Sequence, residues 1–185
     1  KIKSRNIFRS VKSSVSDGSS NNLKKIEISV EEQPTGEISA GAGVGTNGGS
    51  FAFDIKENNW LGEGKNVRFN LEVDKESLRG NIDVTDPNYD LLGNSLTYSI
   101  FSNSNDKPDQ GYENTLVGAS IGTAFEQYKN LFASLDITAS FDDLTTDSTA
   151  TASLKKQAGE FAEISGGYGF AYDKRNRAFM PTSGS

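Results

Sequence analysis

The sequence predicts a mostly β fold of antiparallel strands, each with one apolar and one polar face. Three observations lead to this prediction: apolar residues recur at every second position, most alternating segments are about 8 to 12 residues long, and turn-forming residues separate them. Soluble strands average about 5 to 6 residues, whereas strands that cross a bilayer at a tilt need about 9 to 11. Two-faced strands fit both a transmembrane β-barrel and a soluble antiparallel sandwich, so the strand pattern alone leaves both open.

The first 36 residues are typical of the end of a small α+β module. Ile2, Ile7 and Phe8 suit the tail of an amphipathic helix, and strands are expected at residues 11–15 and 26–30 with a turn at Asp17-Gly18. Residues 1–33 hold seven basic and four acidic side chains, a net of +3, and the remainder carries a net of −9. A domain boundary is therefore expected near residues 33–36. The sequence begins at Lys1, without Met and without a signal peptide, so we expect a piece of a longer protein.

Eight candidate strands follow residue 36, and alternating apolar side chains mark each of them. In chain order they are marked by Ala40, Ala42 and Val44; by Phe51, Phe53 and Ile55; by Val67, Phe69, Leu71 and Val73; by Leu78, Ile82 and Val84; by Leu96, Tyr98 and Ile100; by segment 115–125; by Leu131, Ala133, Leu135, Ile137, Ala139 and Phe141; and by segment 162–172.

The expected connections fall into two sets, which an up-and-down meander places at opposite ends of the sheet. Those after the second, fourth, sixth and eighth strands carry Trp60, Tyr89, Tyr128 and Phe179. Those after the first, third, fifth and seventh are polar and include the two longest, predicted at residues 103–111 and 142–157. Aromatic residues at one rim and long polar loops at the other favour a transmembrane barrel, whose periplasmic turns are short.

The composition argues against an enzyme. The chain has no Cys and no His, which excludes a thiolate metal site, a Ser-His-Asp triad and an imidazole base. Asp142, Asp143 and Asp147 lack the spacing of a calcium loop, so we expect a solvated loop there and neither a metal nor a cofactor. A net charge of −6 argues against a nucleic-acid partner, because the usual footprint of such proteins is basic.

Six segments carry motifs that are individually weak but specific in their order and spacing. They are Ile7-Phe8-Arg9-Ser10-Val11, segment 23–36, Gly43-Val44-Gly45-Thr46 with Gly49-Ser50-Phe51, Asn58-Asn59-Trp60-Leu61-Gly62-Glu63-Gly64, Val84-Thr85-Asp86-Pro87-Asn88-Tyr89, and segment 172–184 with Asp173, Arg175, Phe179 and Pro181. Through these segments the chain resembles the BamA, or bacterial surface antigen, family of outer-membrane protein assembly factors.

The resemblance implies a 16-stranded antiparallel transmembrane β-barrel, of which this chain would hold about eight strands. Residues 1–34 would be the C-terminal part of a small α+β POTRA domain in the periplasm. Residues 35–185 would be the N-terminal half of the barrel, with strands 1–8 and the start of the turn to strand 9. The expected location is the bacterial outer membrane, with the N-terminal part in the periplasm.

The resemblance also implies a non-enzymatic function: folding β-barrel proteins and inserting them into the outer membrane. The expected partners are unfolded outer-membrane β-barrel clients, accessory assembly lipoproteins and outer-membrane lipids. In this family the first barrel strand pairs weakly with the last, so a client strand can add to its exposed edge by β-augmentation. The residues of that lateral-gate strand would be Glu37, Ile38, Ser39, Ala40, Gly41, Ala42, Gly43, Val44 and Gly45. The periplasmic turn motifs would comprise Asn59, Trp60, Leu61, Gly62, Gly64, Asp86, Pro87, Tyr89, Asp173, Arg175, Phe179 and Pro181.

Structural interpretations stand beside these roles. The strand glycines would weaken the strand and its register, or would serve curvature or packing. Trp60 is expected to be an interfacial anchor, and Asp173 with Arg175 a structural ion pair.

Other functions remain open at the level of the sequence. A related family member would act in translocation and autotransporter assembly, or in two-partner secretion. Outside the family, a passive outer-membrane pore and a soluble β-rich binding domain or hydrolase are alternatives.

Overall fold

The computed structural model describes residues 7–20, 22–45, 48–175 and 182–183 of the chain. The predicted mostly β, antiparallel fold is confirmed. The strands are β1 (Phe8–Asp17), β2 (Lys24–Glu32), β3 (Gly36–Gly45), β4 (Gly48–Trp60), β5 (Lys65–Asp74), β6 (Ser77–Asp86), β7 (Ser95–Lys107), β8 (Tyr112–Tyr128), β9 (Leu131–Thr146) and β10 (Gly159–Tyr172). A short helix α1 (Ala152–Gln157) lies between β9 and β10. Within the part of the chain just given, no helix is both long enough and apolar enough to cross a membrane.

Strands β3 to β10 form one sheet in which every strand pairs with its neighbours in the chain. All pairings are antiparallel, so successive connections alternate between the two ends of the sheet, as predicted. We call the end at which β3 begins the proximal rim; it also holds the β4–β5, β6–β7 and β8–β9 connections. The distal rim holds the β5–β6, β7–β8 and β9–β10 connections. β1 and β2 form a separate two-stranded sheet.

The register aligns the apolar positions of all eight strands on one face of the sheet. One cross-strand row illustrates this alignment. It consists of Ile38, Ile55, Phe69, Ile82, Ile100, Ala119, Ala139 and Ile164. Among the described residues no large side chain is fully buried, and Ile38 and Ile164 are 70% and 80% exposed. The eight strands thus expose a continuous apolar face, unlike a sandwich, in which two sheets would cover each other.

Several strands extend beyond the predicted boundaries, among them β7, β8 and β9. β7 runs to Lys107 and β9 to Thr146, so the connections predicted at residues 103–111 and 142–157 begin later than expected, and β8 continues to Tyr128. Most residues of these extensions are polar, so the apolar alternation does not mark them. The backbone ladder needs no apolar side chain, and Asn105 for example pairs with Asn114.

The predicted helix tail near the N-terminus is wrong at Phe8. Phe8 begins β1 and pairs with Glu32, with a register shift before Ser10, and Gln33 donates its backbone N–H to the carbonyl of Ile7 at 3.2 Å. Pairing with β2 therefore overrides the helical pattern. Ile2 lies outside the described residues. The predicted strands at 11–15 and 26–30 are confirmed within β1 and β2, and the assignment of residues 1–34 to a separate domain stays a prediction.

Candidate functional site

The candidate site is the free edge of β3, the strand to which every residue from Glu37 to Gly45 belongs. β3 pairs with β4 from Gly36↔Glu57 to Gly45↔Gly48, and within the described part of the chain β3 and β10 are the two edge strands of the sheet. In an antiparallel ladder only alternate residues exchange hydrogen bonds with one neighbour. About half of the N–H and C=O groups of β3 therefore point away from β4, toward a place where another strand could add.

The β3 edge lacks the features that usually protect an edge strand from further pairing. Proteins block such edges with prolines, charges or bulges. β3 holds one charged residue, Glu37, and its proline neighbour Pro34 precedes the strand. Its ladder with β4 shows no register shift. The edge therefore presents an unbroken row of donors and acceptors.

The strand glycines have no visible packing role at two of three positions. Among the described residues, a Cβ atom built on Gly41 or Gly45 would meet nothing within 4 Å, whereas one on Gly43 would lie 3.1 Å from Ser50 Oγ. None of the three has a left-handed φ angle. Neither crowding nor backbone conformation thus requires glycine at 41 and 45. Because glycine weakens a strand, these positions lower the rigidity of β3.

Side chains cross-link the neighbouring strands on the polar face. Arg68 Nε donates to Asp54 Oδ2 at 2.7 Å, joining β5 to β4, and Ser99 Oγ donates to Asp83 Oδ1 at 2.6 Å, joining β7 to β6. By contrast, β3 is attached to β4 by the backbone ladder, and its polar face consists of Glu37, Ser39 and the three glycines. From Glu37 onward, β3 is thus tied less firmly to its neighbour than the strands behind it are.

A foot cluster, consisting of Thr35, Glu57, Asn58 and Asn59, holds the proximal end of β3. The Thr35 hydroxyl donates to Glu57 Oε1, and the same oxygen accepts the Asn59 N–H at 2.8 Å. Asn58 donates both its backbone N–H, at 3.4 Å, and its Nδ2, at 3.1 Å, to the Thr35 carbonyl. None of the sequence motifs includes Thr35 together with Glu57. One sequence feature could have revealed the cluster. Glu57, a carboxylate, occupies the next alternating position after Phe51, Phe53 and Ile55, where an apolar residue is expected.

The first predicted turn motif lies at the proximal rim, where its polar side chain shapes the turn. Asn59 Oδ1 accepts the Gly64 N–H at 2.8 Å, and the Asn59 carbonyl accepts the Gly62 N–H at 2.9 Å. Leu61, Gly62 and Gly64 all have positive φ angles, of 54°, 78° and 69°. Trp60, the last residue of β4, is 47% exposed, which suits an amphipathic anchor at the membrane interface.

The second motif also lies at the proximal rim, in the β6–β7 connection. Asp86 ends β6, and its Oδ1 accepts the Asn88 N–H at 3.0 Å across Pro87. The Tyr89 N–H donates to the carbonyl of Asn94 at 3.2 Å, which closes the connection. Asp86-Pro87 therefore starts a turn, as expected.

The third motif begins directly after β10 with the predicted ion pair. Arg175 Nη2 lies 2.7 Å from Asp173 Oδ2, while its Nε and its backbone N–H both donate to Oδ1 at 2.9 Å. The Arg175 side chain and backbone lower the pKa of Asp173 from 3.8 to about 2. Asp173 in turn donates its N–H to the Asn130 carbonyl at 2.9 Å, on the same rim. Phe179 and Pro181 lie outside the described residues.

The acidic residues of the distal rim take part in local hydrogen bonds. Asp142 accepts from Asn114 Nδ2, and Asp147 Oδ1 accepts from the hydroxyl and N–H of Thr149 at 2.6 and 2.7 Å. These two Thr149 donors lower the pKa of Asp147. Across the described ranges, no group of three or more acidic side chains is arranged to hold a metal ion.

Comparisons with known proteins show what this chain is similar to. A family model described as the Omp85 superfamily domain matches residues 59–185. Over 164 residues the chain is 26% identical to "Outer membrane protein assembly factor BamA" of Neorickettsia risticii (strain Illinois). The aligned region covers 86% of this chain and 22% of that protein. The crystal structure of BamA from Haemophilus ducreyi lacking POTRA domains 1–3 matches with a TM-score of 0.73 and 23% identity, over 99% of this chain and 38% of that chain.

These matches confirm the resemblance given by the sequence motifs. The structural match, at 23% identity, is a statement about the fold. The chain spans 22% of the curated relative and 38% of the solved chain. The β3 edge precedes the range of the family match.

Proposed function

Because the chain belongs to the Omp85 superfamily, we propose that it is part of an outer-membrane protein assembly factor. Such a factor folds β-barrel proteins and inserts them into the outer membrane without catalysing a chemical reaction. The predicted location, the bacterial outer membrane with the N-terminal part in the periplasm, is confirmed by the family match and the outer-membrane relative. In this orientation the proximal rim faces the periplasm.

The β3 edge is proposed to be the lateral-gate strand that receives the client. The observation that carries this proposal is an edge strand with one charge, no proline and no register shift, attached to β4 by its backbone ladder. A bilayer cannot hydrogen-bond a free strand edge. A client strand that adds to β3 satisfies both edges at once, which supplies the driving force for pairing without any chemical step.

The proposed partners follow from the surfaces of the sheet. Unfolded outer-membrane β-barrel proteins would pair with the β3 edge, and outer-membrane lipids would cover the apolar face that carries Ile38 and Ile164. Accessory assembly lipoproteins would bind on the periplasmic side, where water-soluble partners have access.

A folding assay in lipid vesicles tests the proposal. The full-length protein is reconstituted, and the folding rate of an outer-membrane β-barrel client is compared with that in empty vesicles. Ala42→Pro removes one N–H from β3 and inserts a residue that edge pairing does not tolerate. The control Ser148→Pro places the same residue in the β9–β10 connection. We expect faster client folding with the unaltered protein and with Ser148→Pro, and little acceleration with Ala42→Pro.

Two outcomes would overturn the proposal. Ion conduction without any acceleration of client folding would indicate a passive pore. Equal acceleration by Ala42→Pro and Ser148→Pro would show that the β3 edge takes no part. Acceleration restricted to secreted passenger proteins would favour a translocation relative of the same superfamily.

A further inference from the structure

We infer that Glu57 is a positioning residue whose carboxylate closes the open end of the β3–β4 hairpin and so fixes where the free edge of β3 begins. The consequence for client strands rests on the proposed function, whereas the effect on β3 itself does not. Glu57 belongs to none of the turn motifs singled out in the sequence, and it lies at the end of β4 beside the strand that it holds.

The β3–β4 hairpin needs such a closure at one end only. At the distal rim Gly45 pairs with Gly48, and the chain itself joins the two strands. At the proximal rim Gly36 pairs with Glu57, and the chain runs on through Thr35 and Pro34 toward β2. The open end of an edge strand is where fraying begins, because few contacts oppose it there.

Four hydrogen bonds of the foot cluster converge at this open end. Glu57 Oε1 takes the Thr35 hydroxyl and the Asn59 N–H, and Asn58 gives two donors to the Thr35 carbonyl. Gly36 makes room for the carboxylate, because a Cβ atom there would lie 3.0 Å from Glu57 Oε2. Hydrogen bonds to a charged acceptor are the stronger class, so Glu57 is the principal tie.

A strand irregularity brings these donors into place. The pairing of β4 with β5 shifts register between Glu57 and Trp60, so Asn58 and Asn59 leave the regular ladder. Such bulges re-aim side chains at the ends of strands. Asn59 meanwhile holds the Gly64 N–H in the β4–β5 turn. Glu57 therefore couples the foot of β3 to the turn motif at Asn59, Gly62 and Gly64.

The position of the tie determines what can move. If the β1–β2 sheet moved about residues 33–35, the hydrogen bonds at Thr35 would stop the motion there. The ladder between β3 and β4, which begins at Gly36, would stay intact. A shift of one residue in strand pairing turns every side chain to the opposite face. A fixed foot therefore helps an added client strand to keep its apolar side chains toward lipid.

Hydrogen exchange along β3 in the full-length, membrane-embedded protein tests the first part. Glu57→Ala and Thr35→Val each break the Thr35–Glu57 bond from one side, and Glu57→Gln keeps an acceptor oxygen without the charge. Glu126→Ala is the matched control, because Glu126 Oε1 accepts the Asn130 N–H at 2.9 Å at the same rim, away from β3. We expect the amides of residues 37–40 that bond to β4 to exchange about tenfold faster in Thr35→Val, which loses one charge-assisted bond. In Glu57→Ala, which also loses the bond to the Asn59 N–H, we expect them to exchange at least as fast.

Glu57→Gln is expected to fall between the unaltered protein and Glu57→Ala. Residues 43–45 and the interior strands should keep their exchange rates in all variants, and Glu126→Ala should leave β3 unchanged. A uniform acceleration along β3, or none at residues 37–40, would overturn the inference, since a merely stabilising residue would not act on the foot alone.

The second part is tested by the register of an added client strand. The chain has no cysteine, so Ser39→Cys can be scanned against single cysteines in the terminal strand of a client. We expect one cross-linked register in the unaltered background and additional registers in Glu57→Ala. One register in both backgrounds would refute the client part. Absence of client cross-links in every background would refute the proposed function, while the exchange result would still decide the role of Glu57.

Discussion

Stiffening the β3 edge should slow client insertion without abolishing the fold, and Gly43→Val is the sharpest way to do so. The new Cβ atom would lie 3.1 Å from Ser50 Oγ, and a rotation of that hydroxyl relieves the contact. Glycine in a strand costs about 0.5–1 kcal/mol relative to alanine. The same gain on replacement corresponds to about a two- to fivefold shift toward the paired strand.

The assay is the rate of client folding in vesicles that contain the full-length protein. We expect Gly43→Val to slow it by about two- to fivefold if opening of β3 limits the rate. Gly41→Val should act alike, because its Cβ atom meets nothing within 4 Å. Gly80→Val is the control, since Gly80 lies in β6, away from the edge, with its closest neighbours at 3.8 Å. If hydrogen exchange in β3 became slower in Gly41→Val and Gly43→Val while the rate of client folding stayed unchanged, the proposed link between strand stiffness and insertion would be refuted.

Three further predictions concern single sites. An NMR titration should give Asp173 a pKa of about 2, against an ordinary value of 3.8, and Arg175→Gln should raise that pKa. Because the pKa is lowered in the folded state, the stabilising effect of Asp173 is complete above pH 3.8 and is lost as the pH falls through about 2. Gly118→Ala should lower the free energy of unfolding in urea by about 1–3 kcal/mol, because its Cβ atom would lie 2.4 Å from Phe101 Cζ; a neutral result would refute this packing. Leu61→Gly should raise that free energy by about 1 kcal/mol, since Leu61 has a φ of 54° and is 81% exposed; a lower urea midpoint would contradict it.

The eight-stranded sheet could be predicted because its strands alternate so regularly. Val67, Phe69, Leu71 and Val73 define β5 without help from any distant residue, and the turn residues around Trp60 mark its start. In a meander each strand pairs with its neighbour in the chain, so the order of the sheet follows from the order of the sequence. No long-range information was needed for this part of the fold.

Strand ends and the foot cluster were less accessible to sequence reasoning. The distal extensions of β7 and β9 are polar, so alternation carries no signal there, and Phe8 joins β1 through pairing with β2 instead of ending a helix. The foot cluster joins Thr35 to Glu57, which are far apart in sequence, and it depends on a register shift after Glu57. Local patterns do not specify such a shift, which arises from the pairing of two strands.

A cross-linking scan between β3 and the terminal strand of a client in the full-length protein tests the central claim most directly. Cysteines are placed singly at Ser39, Ala40, Gly41 and Ala42, with Ser99 in β7 as the interior control. If a client strand adds to β3, each β3 cysteine should cross-link to one defined position of the client. Moving the β3 cysteine by one residue should move that client position by one residue, and Ser99→Cys should give no cross-link. Cross-links of equal yield at β3 and Ser99, or none at β3 while the client still folds, would contradict the account.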